Sequence, residues 1–215
     1  MVSSTGAAVL GGIVRPPRLL IQILGAAVVL AVATAIARNP LPTWEEELFT
    51  WIHNVPRWVD HAVWTPMQLG SAWTPLLAAA VAYWLTKSWR PTTGALVAGW
   101  VGWWLAKAVK DWVERGRPFE EIGAENVRDT ALHEGLGFVS GHATVAFACA
   151  AILAPYLSRP WQWGVYLLAS FVGLSRIVVG AHLPLDAVGG ACLGLILAWT
   201  WHLVVGIDST KRWAR

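Results

Sequence analysis

Residues 175–186 read SRIVVGAHLPLD and join the last two long apolar segments of the chain. Pro184 suits the first turn of a helix, so the final apolar segment is expected to begin there. His182 and Asp186 are then one helical turn apart, and the carboxylate can accept a hydrogen bond from one imidazole nitrogen while the other nitrogen stays free to attack. A structural His–Asp pair would fit the same spacing. An ionisable pair at an apolar span is nevertheless a functional hypothesis by default.

Composition indicates a membrane protein. Of the 215 residues, 56% are hydrophobic and 13% are charged, whereas soluble domains carry about 25% charged residues. The net charge of +3 comes without a basic block interleaved with aromatic residues, which argues against a nucleic-acid partner. Cys149 and Cys192 both lie inside apolar runs, which favours packing over a disulfide or a metal pair.

Six stretches are apolar enough for membrane helices, which need about 20 mostly apolar residues. Many tryptophans fall near the ends of these stretches, as is typical of side chains at the membrane interface. The chain shows no internal repeat and no low-complexity linker, so residues 1–215 are predicted to form one all-α domain with six transmembrane helices. The predicted spans are residues 19–37, 68–86, 92–109, 141–158, 161–179 and 184–207.

The first span also resembles a signal peptide. Ala35-Ile36-Ala37 is similar to a cleavage site, but the apolar stretch is longer than the roughly 7–15 residues of a signal peptide core. Without cleavage the number of spans is even, and both termini lie on one side of the membrane.

A short helix is predicted between the first two spans. Residues 43–46 read TWEE, which is a capping box. Trp44, Leu48 and Trp51 would share one face of the helix that follows. We expect this helix to lie in the interface on the outer side of the membrane, with a plain surface loop as the alternative.

The basic residues give the orientation of the spans. The termini and the even-numbered loops carry eight Lys and Arg residues, and the opposite side also carries eight. Three of the latter, Lys110, Arg117 and Arg176, belong to motifs and have a separate reason to be there. The remaining excess predicts a multi-pass protein of the cell membrane with both termini in the cytoplasm.

Two further motifs flank the third and fourth spans. Residues 110–118 follow the pattern Lys-x6-Arg-Pro, and residues 140–142 are Ser-Gly-His. With six spans, the third and fifth end, and the fourth and sixth begin, on the same side of the membrane. Each motif has an ordinary explanation alone, such as a snorkelling Lys110 or a capped helix with an incidental His142. Their joint placement predicts an active site at the outer ends of helices 3–6.

The motif residues are suited to holding an anion. Lys110 and Arg117 are seven residues apart and share a face if the helix continues that far. Ser140 is a good N-cap, and Gly141 lets an anion come close to the free N–H groups of the helix N-terminus. His142 lies in the first turn, beside the same volume.

Together the three motifs resemble the signature of the type 2 phosphatidic acid phosphatase superfamily, the integral-membrane lipid phosphate phosphatases. The first and third motifs match this signature fully, between Lys110 and Asp186. The second departs at one position, where Val139 replaces the proline that precedes Ser-Gly-His in the family. Because that proline shapes a turn and carries no chemistry, we expect an altered loop and retained activity.

The resemblance implies a role for each motif residue. His182 attacks phosphorus to form a phosphohistidine, and Asp186 orients it. His142 protonates the leaving oxygen and then activates water for hydrolysis of the intermediate. The residues implied in binding the phosphoryl group are Lys110, Arg117, Ser140, Gly141 and Arg176. No metal and no cofactor is implied, and the sequence offers no further His, Cys or carboxylate cluster with ligand spacing.

We expect the substrate to be a lipid phosphate or diphosphate in the bilayer, with no obligatory protein partner. An outward-facing site favours hydrolysis of a polyprenyl diphosphate, of the undecaprenyl or decaprenyl type, to the monophosphate, since spent carrier lipid appears on that side. The alternative is a phosphatidylglycerol phosphate or phosphatidic acid phosphatase of the same mechanism. Residues 111–139 either cover the site or steer ligands to it.

Two other classes fit less well. The vanadium haloperoxidases share the phosphate cradle, but six apolar spans argue against this soluble branch. A non-catalytic lipid-phosphate binder or transporter would be expected to lack His182, His142 or Asp186, and all three are present.

Overall fold

The chain folds into helices joined by short loops in the computed structural model, which describes residues 8–10, 12–123 and 135–211. Two short strands precede the first helix, and one follows the last. The helices are α1 (Arg18–Ala37), α2 (Thr43–His53), α3 (Trp58–Met67), α4 (Thr74–Thr86), α5 (Trp89–Val113), α6 (Pro118–Ile122), α7 (Gly141–Leu153), α8 (Arg159–Val178) and α9 (Pro184–Val205). The strands are β1 (Ala8–Leu10), β2 (Ile13–Arg15) and β3 (Ile207–Asp208).

Helices lie at all six predicted span positions, but the second and the fourth differ in extent. α7 ends at Leu153, and a 3-10 turn follows it to Tyr156. Residues 68–70 form a 3-10 turn, and α4 begins only at Thr74. The break coincides with a close contact to α7, since a Cβ on Gly70 would come within 2.6 Å of the carbonyl oxygen of His142. In the same turn the Ser71 hydroxyl donates to the carbonyl of Gln68. Pro75 then starts a new helix, as proline commonly does in a first turn.

Two of the described helices, α1 and α9, are long and apolar enough to cross a membrane by length and composition. The 13 residues of α4 extend over only about 20 Å at about 1.5 Å per residue. The 25 residues of α5 are long enough, but they include several polar and charged side chains. The exact number of spans therefore remains a prediction.

α7 is the central helix, packed against α4, α5, α8 and α9. It comes closest to α9, where a Cβ on Gly190 would meet the carbonyl oxygen of Ser140 and one on Gly194 would meet that of Thr144. Glycine at these two positions, one helical turn apart, lets the two backbones touch. This contact fixes the start of α7 against the start of α9, where two of the three motifs lie.

Small side chains fill the interior and large apolar ones cover the outside. The largest buried cluster, between α4, α5, α7 and α9, consists mainly of alanines. Leu24 and Val28 of α1 and Leu167 of α8 are instead more than half exposed. Extended apolar surface of this kind marks a region that contacts other apolar matter, and here it fits helices that face lipid.

α2 forms the helix predicted between the first two spans, and the alternative of a plain loop is wrong. The capping box is also wrong, because Pro42 occupies the N-cap position and no side chain caps the helix. The Glu45 carboxylate instead pairs with Arg115, since both groups are buried and need a charged partner. Trp44 and Trp51 are exposed, while the position of α2 in a membrane interface remains a prediction.

The segments that flank the helical bundle meet in a small antiparallel sheet, which the sequence did not predict. β2 pairs with both β1 and β3, and Ser209 donates its backbone N–H to the carbonyl of Gly12. Because β2 precedes α1 and β3 follows α9, the start of α1 lies beside the end of α9. This end of the bundle is the opposite one from the start of α9.

Candidate active site

One cavity of about 280 Å³ opens where α5 and α8 end and where α7 and α9 begin. Its wall contains six of the eight predicted site residues, namely Lys110, Arg117, Gly141, His142, Arg176 and His182. The other two, Ser140 and Asp186, are fully buried. The rest of the wall consists of Trp103, Ala106, Lys107 and Leu136. The three motifs are thus brought together around one volume.

Lys110 and Arg117 reach the cavity by different routes. α5 ends before Glu114, which takes a left-handed conformation with φ of 57°, so Arg117 does not continue the helix that carries Lys110. The helical face that the sequence suggested for this pair does not form. Lys110 Nζ donates to the carbonyl oxygens of Leu136 and Gly137, each at 2.7 Å, and thereby ties α5 to the segment that leads into α7.

Each of the two arginines in the cavity wall keeps a hydrogen-bond donor that has no partner in the part of the chain that the structure describes. Arg117 Nη1 donates to the Ala181 carbonyl at 2.9 Å, and Arg176 Nη1 contacts Met67 Sδ at 3.2 Å. The Nε atoms of both arginines are buried and have no hydrogen-bond partner among the described residues. A buried donor without a partner is costly, and a phosphoryl oxygen would satisfy it with a charge-assisted bond.

Burial lowers the pKa of Arg117 from its ordinary value, and the nearby Asp186 carboxylate acts in the opposite direction. The ordinary pKa of a guanidinium lies so far above neutral pH that Arg117 remains a cation. The cavity is therefore positively charged where an anion would be held.

The N-terminus of α7 forms another part of the wall. Ser140 is its N-cap, and its Oγ accepts from the N–H of Ala143 at 3.5 Å. Because this hydroxyl is buried behind the wall, its direct contact with a phosphate stays a prediction. Gly141 and His142 do line the cavity, with the ring of Trp103 3.5 Å from where a Cβ on Gly141 would lie. An open helix N-terminus of this kind favours anions.

His182 lies in the turn between α8 and α9. Its Nδ1 is 3.3 Å from Asp186 Oδ2, and the same carboxylate oxygen accepts the Leu183 N–H at 2.9 Å. With Nδ1 facing Asp186, Nε2 is the nitrogen left for chemistry. Burial lowers the pKa of His182 well below its ordinary value, and the charges of Lys110 and Arg176 lower it further. The imidazole is therefore neutral at pH 7 and has a lone pair to donate.

Arg115 and Glu45 complete the site from behind, and sequence reasoning missed both. Arg115 Nη1 lies 3.2 Å from Asp186 Oδ1, and its Nη2 lies 2.6 Å from Glu45 Oε2. Glu45 Oε1 also accepts the N–H of Leu185 at 2.8 Å. These contacts form a buried chain of charges that runs from α2 through Arg115 to Asp186 and ends at His182.

Burial alone would lower the pKa of Arg115, but its hydrogen bond with Glu45 and the charge of Asp186 raise it above its ordinary value. Arg115 therefore stays a cation between two carboxylates. A signal for this network was present in the sequence, since Glu45, Phe49 and His53 form the buried stripe of α2 at helical spacing. An acid in such a stripe requires a buried partner.

The arrangement is suited to phosphoryl transfer. The N-terminus of α7 and the neutral imidazole of His182 line the cavity together with four cations, Lys107, Lys110, Arg117 and Arg176. Phosphoryl transfer depends strongly on positioning and on stabilisation of the charge that spreads over the phosphoryl oxygens. His142 adds a second titratable group on the same wall.

The comparisons with known proteins agree with this chemistry. The model of the PAP2 superfamily matches residues 71–208, which is more than half of the chain. Phosphatidylglycerophosphatase B of Bacillus subtilis is 29% identical over 202 residues, covering 83% of this chain and 90% of that protein. Undecaprenyl-diphosphatase of Sulfolobus acidocaldarius is 36% identical over 74 residues, or 34% of each chain.

A solved structure shows the same fold. The crystal structure of the transmembrane PAP2-type phosphatidylglycerolphosphate phosphatase from Bacillus subtilis superposes with a TM-score of 0.60 at 20% identity, over 86% of this chain and 94% of that one. Family match, fold and relatives lead to one conclusion. The chain belongs to the PAP2 superfamily and is a phosphoric ester hydrolase of the lipid phosphatase type.

Proposed function

We propose that the protein hydrolyses a polyprenyl diphosphate to the monophosphate through a phosphohistidine on His182. The observation that carries the proposal is the cavity in which Lys110, Arg117 and Arg176 surround His182. Nδ1 of this histidine faces Asp186 at 3.3 Å. The cations match a phosphoryl group in charge, and the free Nε2 matches the need for a nucleophile.

The reaction has two steps. In the first, His182 Nε2 attacks the terminal phosphorus, the bond from phosphorus to the bridging oxygen breaks, and His142 gives a proton to the departing oxygen. In the second, His142 takes a proton from a water molecule that attacks the phosphohistidine, which releases inorganic phosphate and restores Nε2. Asp186 keeps the proton of His182 on Nδ1 throughout, so that Nε2 is the atom that reacts.

The cations act on the charge that spreads over the phosphoryl oxygens in the transition state. Arg117 and Arg176 supply the unpaired Nε donors, and Lys110, which also lines the cavity, supplies a point charge. Gly141 allows the phosphate to approach the first N–H groups of α7. Ser140 contributes by capping that helix and holding these groups in place, in addition to any direct hydrogen bond.

This chemistry is tested by phosphate release from purified protein in detergent with EDTA present. We expect turnover without added metal, inhibition by vanadate, and no turnover in a His182→Ala variant. His61→Ala is the matched control, because His61 is exposed and lies outside the cavity. Full activity of His182→Ala would overturn the nucleophile, and strict dependence on a divalent metal would overturn the metal-free mechanism.

Two lipids are candidate substrates, and each is supported by a similar protein with that activity in its name. The undecaprenyl-diphosphatase supports the diphosphate, and so does an outward-facing site. The phosphatidylglycerophosphatase, which aligns over far more of the chain, favours phosphatidylglycerol phosphate. A release assay with polyprenyl diphosphate, phosphatidylglycerol phosphate and phosphatidic acid, compared by kcat/KM, separates them. A higher value for either phospholipid than for the diphosphate would overturn our preference.

We also propose that the site faces the extracytoplasmic side of the cell membrane. The distribution of basic residues supports this orientation. Cysteines at Glu120, beside the site, and at Lys211, at the opposite end, test it, because both positions are exposed whereas Cys149 is buried. In intact cells a membrane-impermeant maleimide should label Glu120→Cys only. Labelling of Lys211→Cys alone would reverse the orientation.

A further inference from the structure

One cation in the wall of the cavity has no role in the mechanism above. Lys107 lies on α5 one turn before Lys110 and lines the same cavity. Residues 103, 106, 107 and 110 all line it, which is the spacing of a single helical face. Lys107 therefore belongs to the same side of α5 as Lys110, about 4.5 Å deeper along the helix.

Lys107 differs from the other cations in what it contacts. Lys110 donates to two backbone carbonyls. Lys107 Nζ instead lies over two indole rings, 4.6 Å from the ring centre of Trp104 and 5.9 Å from that of Trp103. Within the described part of the chain it has no carboxylate partner. Lys107 is an exposed residue that also lines the cavity, so its side chain can turn toward an anion held there.

The position of His142 shows which part of a substrate would reach Lys107. In our mechanism His142 protonates the departing oxygen, which lies opposite the attacking His182. The Trp103 ring packs against His142 with 6.0 Å between centroids, and Lys107 lies above that same ring. The leaving group is therefore on the side of the cavity where Trp103 and Lys107 lie.

We propose that Lys107 and Trp103 form a subsite for a second phosphate, the one that departs with the lipid when a diphosphate is cleaved. This inference rests on the proposed function, because it uses the roles of His182 and His142. The bond from the terminal phosphorus to the bridging oxygen breaks, and the bridging oxygen leaves as part of the lipid monophosphate. Lys107 neutralises the charge that this phosphate gains as it departs. A lipid monophosphate places an uncharged alcohol there and gains nothing from the lysine.

The test compares two substrates with the same tail, farnesyl diphosphate and farnesyl monophosphate. In a Lys107→Gln variant, kcat/KM for the diphosphate should fall about 10- to 100-fold more than kcat/KM for the monophosphate, as expected for the loss of a bond to a charged group. Lys107→Arg keeps the charge and should therefore keep most of the preference for the diphosphate over the monophosphate. Lys87→Gln is the matched control, because Lys87 lies over the Tyr83 ring at 5.2 Å but does not line the cavity.

A second measurement uses inorganic inhibitors and is independent of lipid packing. The inhibition constant for inorganic diphosphate should rise in Lys107→Gln by about the same factor as the loss of activity, whereas that for orthophosphate should change much less. An equal fall for both substrates, or equal changes for both inhibitors, would overturn the subsite and leave the proposed function intact. A wild-type enzyme that prefers the monophosphate would overturn the diphosphate function, and a selective effect of Lys107→Gln would still support the subsite.

Discussion

The substitution Arg115→Met tests whether buried charges behind the cavity position His182. Methionine keeps much of the side-chain volume and removes the charge. Arg115 lies between Glu45, at 2.6 Å, and Asp186, at 3.2 Å, and all three side chains are almost without solvent contact. Removing one partner of such a buried pair costs about 3–5 kcal/mol, because the remaining charge has no compensation. Here two carboxylates lose their cation, so the upper part of that range is expected.

The effect on catalysis should follow a different pattern from the effect on stability. Asp186 would no longer be held toward His182, and kcat should fall about 10- to 100-fold, by analogy with the loss of a group that orients a metal ligand. KM should change little, because Arg115 does not line the cavity. Unfolding in detergent can be followed by the fluorescence of the 16 tryptophans, and kcat by phosphate release.

Two further variants make the result specific. Arg38→Met is the control, because Arg38 is exposed and rests on the Trp112 ring at 4.7 Å, so its loss should stay within about 0.5 kcal/mol. Adding Glu45→Gln to Arg115→Met removes one of the two unpaired carboxylates and should restore part of the stability but not kcat. The reasoning would be refuted if Arg115→Met were as stable and as active as Arg38→Met.

Two more outcomes are expected from the packing of α7 and from the charge of His182. Gly194→Val should destabilise the protein by about 1–3 kcal/mol or more, because the valine side chain would overlap the Thr144 backbone. The control Gly25→Ala, whose Cβ meets nothing within 4 Å, should be neutral or stabilising in thermal unfolding. Equal melting temperatures of the two variants would contradict the close contact. Because the pKa of His182 is lowered in the folded protein, the unfolded chain binds more protons below about pH 6.5, so stability should fall as the pH drops through that value and should fall less steeply in His182→Gln. Identical slopes of stability against pH in the two proteins would show that His182 is not held neutral.

Much of the candidate site was predictable, because successive membrane spans alternate in direction and because the motif residues have a recognisable local spacing. Apolar stretches of about 20 residues indicate helices, and alternating direction brings the ends of α5 and α8 to the starts of α7 and α9. Pro184 and Ser140 mark the helix starts correctly, at the first turn of α9 and the N-cap of α7. The short spacing of His182 and Asp186 also indicated their contact, although His182 lies in the turn before α9 and Asp186 reaches back to it from the first turn of that helix.

The remaining features depend on contacts between distant parts of the chain. The partner of Glu45 is 70 residues away, so a capping box was the better local explanation although the structure shows none. The interruption before α4 arises where Gly70 packs against His142, which no local pattern predicts. Arg117 leaves the axis of α5 after Glu114 takes a positive φ, and its approach to the cavity therefore comes from a turn and not from a shared helix face.

Val139 is a further position where local reasoning was incomplete. It is fully buried and packs with Phe138 against α9, where a Cβ on Gly189 would come within 2.7 Å of its side chain. The residue thus takes part in the packing that sets the start of α7. Within the loop 111–139, residues 124–134 lie outside the described residues, and its role over the site remains a prediction.

The most direct test is to trap the phosphorylated intermediate. The enzyme is mixed with a substrate labelled in its terminal phosphate, quenched under alkaline conditions within one turnover, and digested for mass spectrometry. We predict a phosphoryl group on His182 at Nε2, with none in His182→Ala. A phosphoryl group on His142, or turnover without any phosphorylated histidine, would contradict the assignment of His182 as the nucleophile.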